Sequence, residues 1–203
     1  MITAGFVIED PKSHVRVIVK ETEAETNGMG WLLEHHFPPR AQANVPKHFH
    51  STWTETFEIV SGNAFYVIGN DKKSAKSGDV IKMPPGIPHI HPWNAGQTEL
   101  VYRQRDDFGA VSPNAVQDVM GVFATRAGLS RDGLTDRLGR PKNPLQLAVT
   151  LKLLVSHGGF DASISVAVQK FISATLGTIG VLMGYTAVIP KYLVSANDKD
   201  KSV

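Results

Sequence analysis

Short stretches rich in β-branched and aromatic residues fill the first 110 positions of this chain. Residues 15–19, 57–60 and 64–68 are three of them, and turn residues such as those at positions 69–71 separate neighbouring stretches. Many short strands with frequent turns are typical of a β-sandwich or a β-barrel. We therefore predict a mainly β domain, a sandwich or a barrel, over residues 1–110.

The apolar pattern changes to a helical period after residue 110. Ser112-Pro113 and Asn143-Pro144 each place a residue that favours the N-cap before a proline. Proline suits the first position of a helix because its fixed φ is already helical and it has no N–H to leave unpaired. We therefore predict a helical C-terminal extension over residues 111–203.

One segment of this extension, residues 171–189, contains no charged side chain. It approaches the length of about 20 residues that a membrane-spanning helix needs. Gly180 and Gly184 also form a small-xxx-small pair. Because glycines and hydroxyl side chains dilute its apolar character, we favour a glycine-interrupted helix buried against the barrel or a second subunit. Membrane contact through residues 171–189 is the alternative.

Composition excludes several classes of function. The chain has no cysteine, which removes disulfides, thiolate metal sites and cysteine nucleophiles. Its formal net charge is only +2, which gives no argument for a nucleic-acid partner. The first residues lack the basic and apolar regions of a secretory signal, so we predict a cytoplasmic protein, with membrane association through the C-terminal segment as the alternative.

The residues best suited to chemistry are three histidines and a glutamate. His48 and His50 stand two apart, so on a strand their side chains share one face, and Glu55 lies close by in the chain. His89 stands in a second block, after a turn rich in proline. Three imidazoles and one carboxylate suit Fe(II), Mn, Ni, Co or Zn better than Ca or Mg. We predict one divalent transition metal, with coordination positions left open for water, substrate or O₂.

These residues resemble the two sequence motifs of the cupin superfamily. The first motif, a His-x-His pair followed by glutamate and glycine, is present here as His48, His50, Glu55 and Gly62. The second motif, in which glycine, proline, glycine and histidine succeed one another, is present as Gly78, Pro84, Gly86 and His89. The asparagine that completes the second motif is displaced by one position, to Asn94. The resemblance covers roughly residues 28–105 and implies a mainly β fold with an antiparallel, jelly-roll-like cupin barrel that has kept all its metal ligands.

The C-terminal half resembles a bacterial subgroup in which one cupin barrel precedes a helical extension. Residues 131–135, 143–148 and 183–185 carry this likeness. This second resemblance indicates the fold and the site, and it indicates no particular reaction. From the ligand set we predict a metal-dependent enzyme for a small organic molecule, with Fe(II)-dependent dioxygenation favoured and Glu55 also acting as a base. Isomerisation, decarboxylation or cyclisation at Zn or Mn remains open. A non-catalytic module that binds a metal or metabolite remains open as well.

Other residues are weaker candidates for the site. His91 stands two positions after His89, and it is either a proton carrier in the same cavity or a histidine on its rim. His35 and His36 are adjacent, so only one can face inward, and neither is assigned to the site. Five aromatic residues are candidate walls of a substrate pocket, although core packing explains them equally well: Trp53, Phe57, Tyr66, Trp93 and Tyr102.

The predicted partners are a small-molecule substrate and a second copy of the chain. Exposed sheet edges and apolar helices both favour association, so a homodimer is expected. Nucleic acid is not expected as a partner.

Overall fold

The computed structural model describes residues 1–43, 45–108, 114–136 and 139–199. In this part of the chain the strands are β1 (Val7–Glu9), β2 (Arg16–Glu21), β3 (Gly30–Phe37), β4 (His48–His50), β5 (Thr54–Ser61), β6 (Asn63–Ile68), β7 (Asp71–Lys76), β8 (Val80–Met83), β9 (His89–Asn94), β10 (Leu100–Asp107) and β11 (Gly159–Asp161). The helices are α1 (Gly121–Arg131), α2 (Pro144–Ser156), α3 (Val166–Ala174), α4 (Leu176–Leu182) and α5 (Ala196–Lys199). A π-helical segment, Val116–Met120, leads into α1, and a 3₁₀ turn spans Pro190–Tyr192.

The strands form two antiparallel sheets. One sheet has the strand order β1-β2-β3-β10-β5-β8, and the other has the order β11-β4-β9-β6-β7. The predicted mainly β, antiparallel barrel with C-terminal helices is therefore confirmed. The proposed boundary at residue 110, like the predicted helix start at Ser112-Pro113, lies outside the described residues. The division into two domains stays a prediction.

Side chains alternate between the inside and the outside along the central strands. On β3, Trp31, Leu33, His35 and Phe37 are buried, while the residues between them are partly exposed. The same alternation on β10 buries side chains that include Gln104. Since side chains on a strand point alternately to opposite faces, one row of each strand enters the barrel. Polar residues lie in this inner row beside apolar ones.

The barrel and the helices share a hydrophobic core. Trp31 and Phe108 of the barrel pack in one cluster with Val116, Met120 and Ala124 of the helical part. Burying a large apolar side chain contributes about 1.5–3 kcal/mol, so this shared cluster stabilises the contact between the two parts.

The helical part also adds a strand to the barrel. Strand β11 pairs antiparallel with β4, placing Gly159 opposite His50 and Asp161 opposite His48. Phe160 stacks on Phe49 in the same pair, with ring centroids 5.4 Å apart. The short strand that carries two predicted metal ligands is thus held by the C-terminal half of the chain.

The apolar segment 171–189 is not one helix. Helix α3 ends at Thr175, whose backbone is not helical (φ −99°, ψ −85°), and α4 then runs to Leu182. Among the described residues no helix combines the length and the hydropathy that a membrane crossing needs. The expected burial holds for Gly177 and Gly180 but is wrong for most of the segment: Phe171 is 68% exposed and Leu182 is 81% exposed. The two glycines are buried because they allow α4 to approach α2: a Cβ at Gly180 would lie 2.6 Å from Cγ1 of Val149.

The start of α2 has the predicted combination of cap and proline. The side-chain oxygen of Asn143 accepts hydrogen bonds from the backbone N–H groups of Leu145 (2.9 Å) and Gln146 (3.2 Å). We expect Asn143→Ala to lower the free energy of unfolding by about 1 kcal/mol, because these N–H groups lose their acceptor. Urea unfolding of the purified protein measures this change.

Asn143→Asp is the matched control for the cap. Its carboxylate keeps the acceptor oxygens and suits the N-terminal end of a helix, so we expect it to retain most of the stability. Equal losses in the alanine and aspartate variants would contradict a role for the accepting oxygen. They would point instead to the hydrogen bond that Asn143 Nδ2 donates to the Tyr185 hydroxyl.

Candidate metal centre

Three histidines and one glutamate bring their donor atoms together between the two sheets. His48 lies on β4, His89 and His91 lie on β9, and Glu55 comes from β5 of the opposite sheet. One donor atom from each of these four residues lies within 4.8 Å of the other three. The pairing of β4 with β9 aligns His48 directly with His89. The barrel therefore closes four potential metal ligands around one point.

Glu55 is the centre of this cluster. Its Oε2 atom lies 2.7 Å from Nε2 of His89 and 3.1 Å from Nε2 of His91. Its Oε1 atom lies 3.3 Å from Nε2 of His50. The Glu55 side chain is only 2% exposed, so these contacts exclude bulk water from the carboxylate. A buried charge of this kind must be paired or must coordinate a metal.

Two of the histidines have one ring nitrogen fixed by the backbone. Nδ1 of His48 lies 2.8 Å from the carbonyl oxygen of Pro46, and Nδ1 of His89 lies 2.8 Å from that of Ile87. A carbonyl only accepts hydrogen bonds, so each Nδ1 carries the proton and donates it. This leaves the lone pair on Nε2, which is the arrangement found in metal-binding histidines.

His50 and His91 both contact Glu55, in different ways. The sequence assigned His50 to the metal and His91 to proton transfer or to the rim. In the structure His91 is buried and belongs to the group of four, with Nε2 in a hydrogen bond to Glu55. His50 lies outside that group, with its ring stacked on Trp53 at 4.3 Å between centroids. The geometry therefore brings the predicted ligands His48, Glu55 and His89 together and offers two histidines, His50 and His91, for a fourth position.

Several buried ring nitrogens of the cluster have no hydrogen-bond partner in the described part of the chain, and such atoms fit a divalent transition metal. Nε2 of His89 and both ring nitrogens of His50 are buried, and none makes a hydrogen bond among the described residues. The His89 and His50 nitrogens are close to Glu55 but are not aligned as hydrogen-bond donors to it. Leaving such groups unpaired costs about 1–3 kcal/mol each, and one metal ion would satisfy Nε2 of His89 together with one nitrogen of His50. Imidazole and carboxylate donors suit Fe, Mn, Ni or Zn.

Burial keeps His48 and His91 in the neutral form that binds metal. Burial, together with repulsion from His91, lowers the pKa of His48 well below its ordinary value. Burial also lowers the pKa of His91, against the attraction of Glu55. For Glu55 burial favours the neutral acid, but His91 and His50 outweigh it and hold the pKa well below its ordinary value. Neutral imidazoles around an ionised carboxylate are the protonation states that ligation requires.

A buried amide and a second carboxyl group support Glu55 from behind. Nε2 of Gln104 lies 3.0 Å from Glu55 Oε1 and 3.0 Å from Oδ2 of Asp106. Burial and the neighbouring charge of Glu55 raise the pKa of Asp106 well above its ordinary value. Neither residue was predicted from the sequence. The alternation of Tyr102, Gln104 and Asp106 with exposed residues along β10 is the signal that could have identified them.

The predicted aromatic wall lies partly beside the cluster. Phe57 packs on His91 at 4.9 Å and on Tyr102 at 5.7 Å, and Trp53 stacks on His50. Tyr66 and Trp93 pack against a second core cluster, which includes Phe57 and Tyr102. The role of these five residues as a substrate pocket stays a prediction.

His35 is a buried neighbour that the sequence did not assign to the site. Its ring stacks on Tyr102 with centroids 4.5 Å apart, and burial lowers its pKa to about 3. His36 takes the outward position, close to Glu34 and Glu99. The expectation that only one of the two adjacent histidines faces inward is confirmed.

Comparison with known proteins agrees with this geometry. Residues 33–102 match the family model described as a cupin domain, and the three strands that carry the candidate ligands, β4, β5 and β9, lie inside the match. The barrel is a cupin domain. The predicted membership of the cupin superfamily and the predicted fold are thereby confirmed. Among curated proteins, none matches the chain.

Several solved structures are similar to parts of the chain. One is a predicted oxalate decarboxylase from Thermotoga maritima, with 19% identity over 53% of this chain and 99% of that one, at a TM-score of 0.46. Another is a protein with a double-stranded β-helix domain from Klebsiella pneumoniae, with 22% identity over 54% and 84% of the two chains, at a TM-score of 0.39. A third is a sugar phosphate isomerase, described as putative, from Acidithiobacillus ferrooxidans, with 18% identity over 45% and 59%, at a TM-score of 0.39.

Proposed function

We propose that this cupin domain is a metal-dependent enzyme that acts on a small organic molecule, with a dioxygenase-type oxidation as its reaction. The observation that carries the proposal is the buried cluster of His48, Glu55 and His89 with His50 and His91 beside it. Imidazole-rich sites with one carboxylate suit Fe(II), which supplies a position for O₂ and a position for substrate when bound.

The residues of the chain prepare this site before any substrate arrives. The backbone carbonyls of Pro46 and Ile87 fix the orientation of His48 and His89. Gln104 holds Oε1 of Glu55, so the carboxylate keeps one orientation while its other oxygen faces His89. Preorganised ligands lower the cost of reaching the reactive geometry. Glu55 is the base that the proposal assigns, because it is the ionised carboxylate of the cluster.

The carboxyl group of Asp106 favours isomerisation or decarboxylation as the second candidate reaction. Asp106 stands opposite Glu55 where β10 pairs with β5, and Gln104 bridges the two side chains. Metal-dependent isomerisation or decarboxylation moves a proton at the substrate, and a pair of carboxyl groups is suited to that transfer. Neither class of reaction requires a ligand set different from the one described.

The first test is the metal content of untagged protein, purified without added metal. We expect about one iron, manganese, nickel or zinc per chain, and a loss of it in the His48→Ala/His50→Ala double variant. Protein loaded with Fe(II) is then assayed for O₂ consumption with a panel of small organic acids, thiols and phenols. O₂ uptake that depends on both metal and substrate would support the oxidation.

The same panel separates the alternatives. Substrate loss without O₂ consumption, with CO₂ release or deuterium incorporation from D₂O, would favour decarboxylation or isomerisation over oxidation. Saturable binding with no turnover under any metal would leave a non-catalytic binding module. Absence of metal after reconstitution with Fe(II), Mn(II) and Zn(II) would refute the metalloenzyme.

A further inference from the structure

A surface cavity of about 580 Å³, open to solvent, lies among the helices, apart from the residues of the metal cluster. Its walls are mainly aliphatic and include Val149 and Leu153 of α2, Val181 of α4 and Val188. Cavities of roughly 300–1,000 Å³ with apolar walls and a few polar groups are typical of small-molecule sites. The cavity therefore has the size and the lining of a binding site for an apolar chain.

Two lysines give this cavity a positive charge. Lys152 lies on α2 and Lys170 on α3, and both line the cavity. Among the described residues neither forms an ion pair with a carboxylate. The Lys152 ammonium donates only to neutral oxygens, the Thr178 hydroxyl at 3.2 Å and the Ser173 carbonyl at 3.4 Å. Because lysine stems lie along apolar surfaces while their ammonium groups stay polar, both can meet an anion at the edge of the cavity.

The surrounding chain supplies little negative charge. Residues 144–196 contain one acidic residue, Asp161, whose carboxylate accepts hydrogen bonds from its own turn at Ser163. Asp118 also lines the cavity, and its Oδ2 atom lies 2.8 Å from Nε2 of His157. Asp118 thus contacts His157 and neither lysine, so among the described residues the two ammonium groups have no carboxylate partner in the cavity.

We propose that this cavity binds an amphipathic carboxylate with a single aliphatic chain, such as a medium-chain fatty acid. The aliphatic chain lies against Val149, Leu153 and Val181, and the carboxylate meets Lys152 and Lys170. Burial of apolar surface supplies most of the affinity, and the ammonium groups select an anion over a neutral or cationic head group. This binding is independent of the function proposed for the metal centre.

The test is calorimetric titration of the full-length protein with decanoate below the concentration at which it forms micelles. We expect saturable binding of one decanoate per chain. Decanol and decyltrimethylammonium, which share the chain and lack the negative charge, are expected to bind at least about tenfold more weakly. The Lys152→Gln/Lys170→Gln variant should lose about the same factor for decanoate and keep its affinity for decanol.

Two further variants show whether the cavity is the site. Ala174 is exposed and lines the cavity, so Ala174→Phe places a ring in it without disturbing the core and should weaken binding of both decanoate and decanol. Lys82→Gln, on the barrel surface, should change nothing. Unchanged decanoate binding in Ala174→Phe would overturn the proposal, as would equal affinity for the three head groups. A protein that does not bind decanoate, and that changes from a dimer to a monomer in Ala174→Phe, would show that the cavity is an interface between copies. That result would also overturn the proposal.

Discussion

Replacing His89 with glutamine is expected to lower the affinity of the site for a divalent transition metal by about a hundredfold or more. His89 is 1% exposed, and its Nδ1 proton is committed to the carbonyl of Ile87, so Nε2 is the atom left to bind a metal. His48 has the same arrangement with Pro46, and His48→Gln is expected to have an effect of the same size. Competition with a metal indicator measures both affinities.

The same measurement decides which histidine completes the ligand set. If His91 is the fourth ligand, His91→Gln will match the loss in His89→Gln, and His50→Gln will cost far less. If His50→Gln instead causes the larger loss of metal affinity, His50 is the fourth ligand. His36→Gln is the control, because His36 lies on the outer face beside Glu34 and Glu99. Retention of full affinity by both His48→Gln and His89→Gln would contradict a metal centre at this point.

Replacing Gly30 with alanine is expected to lower the free energy of unfolding by about 3 kcal/mol. A Cβ at this position would lie 1.8 Å from the backbone carbonyl oxygen of Asp106 and 2.9 Å from its carbonyl carbon. No rotamer change relieves this overlap, because both atoms belong to the main chain of β10. Urea unfolding monitored by circular dichroism gives the free energy.

Gly96→Ala is the matched control for Gly30→Ala. The nearest atom to a Cβ at Gly96 is Oδ1 of Asn94 at 3.5 Å, an ordinary contact, so we expect a loss of less than about 1 kcal/mol. A shift of β10 would also displace Asp106 behind Glu55, so we expect Gly30→Ala to weaken metal binding as well. Equal stability of the two variants would contradict the close approach of β3 and β10.

Much of the metal centre could be predicted from the sequence, because its signals are local. The spacing of His48 and His50 on a strand, with Glu55 a short bend away, indicates convergence without knowledge of the fold. The inward row of β10 was harder to recognise. Gln104 and Asp106 are polar side chains on the buried face of the strand. Because polar residues are ordinarily predicted to be exposed, the sequence pattern places both in solvent. Their partner Glu55 is 49 residues away from Gln104 in the chain.

The division of segment 171–189 into two helices also depended on more than composition. The absence of charge fits a spanning helix and a packed helix equally well, because hydropathy averages over the residues that break it. Thr175 interrupts the helix, and the contact of Gly177 and Gly180 with α2 fixes the position of α4. The local sequence pattern does not show which residues of the segment pack against α2. It also does not show which residues, such as Phe171, stay exposed.

The sequence by itself determined the barrel, the helical extension and three ligands of the candidate metal centre, because strand period, capping and motif spacing act over a few residues. Only the tertiary structure decided that His91 joins the cluster and that Gln104 and Asp106 support Glu55. It also decided that β11 pairs with the ligand strand β4. These contacts join residues that are distant in the chain, and strand register and sheet order bring them together.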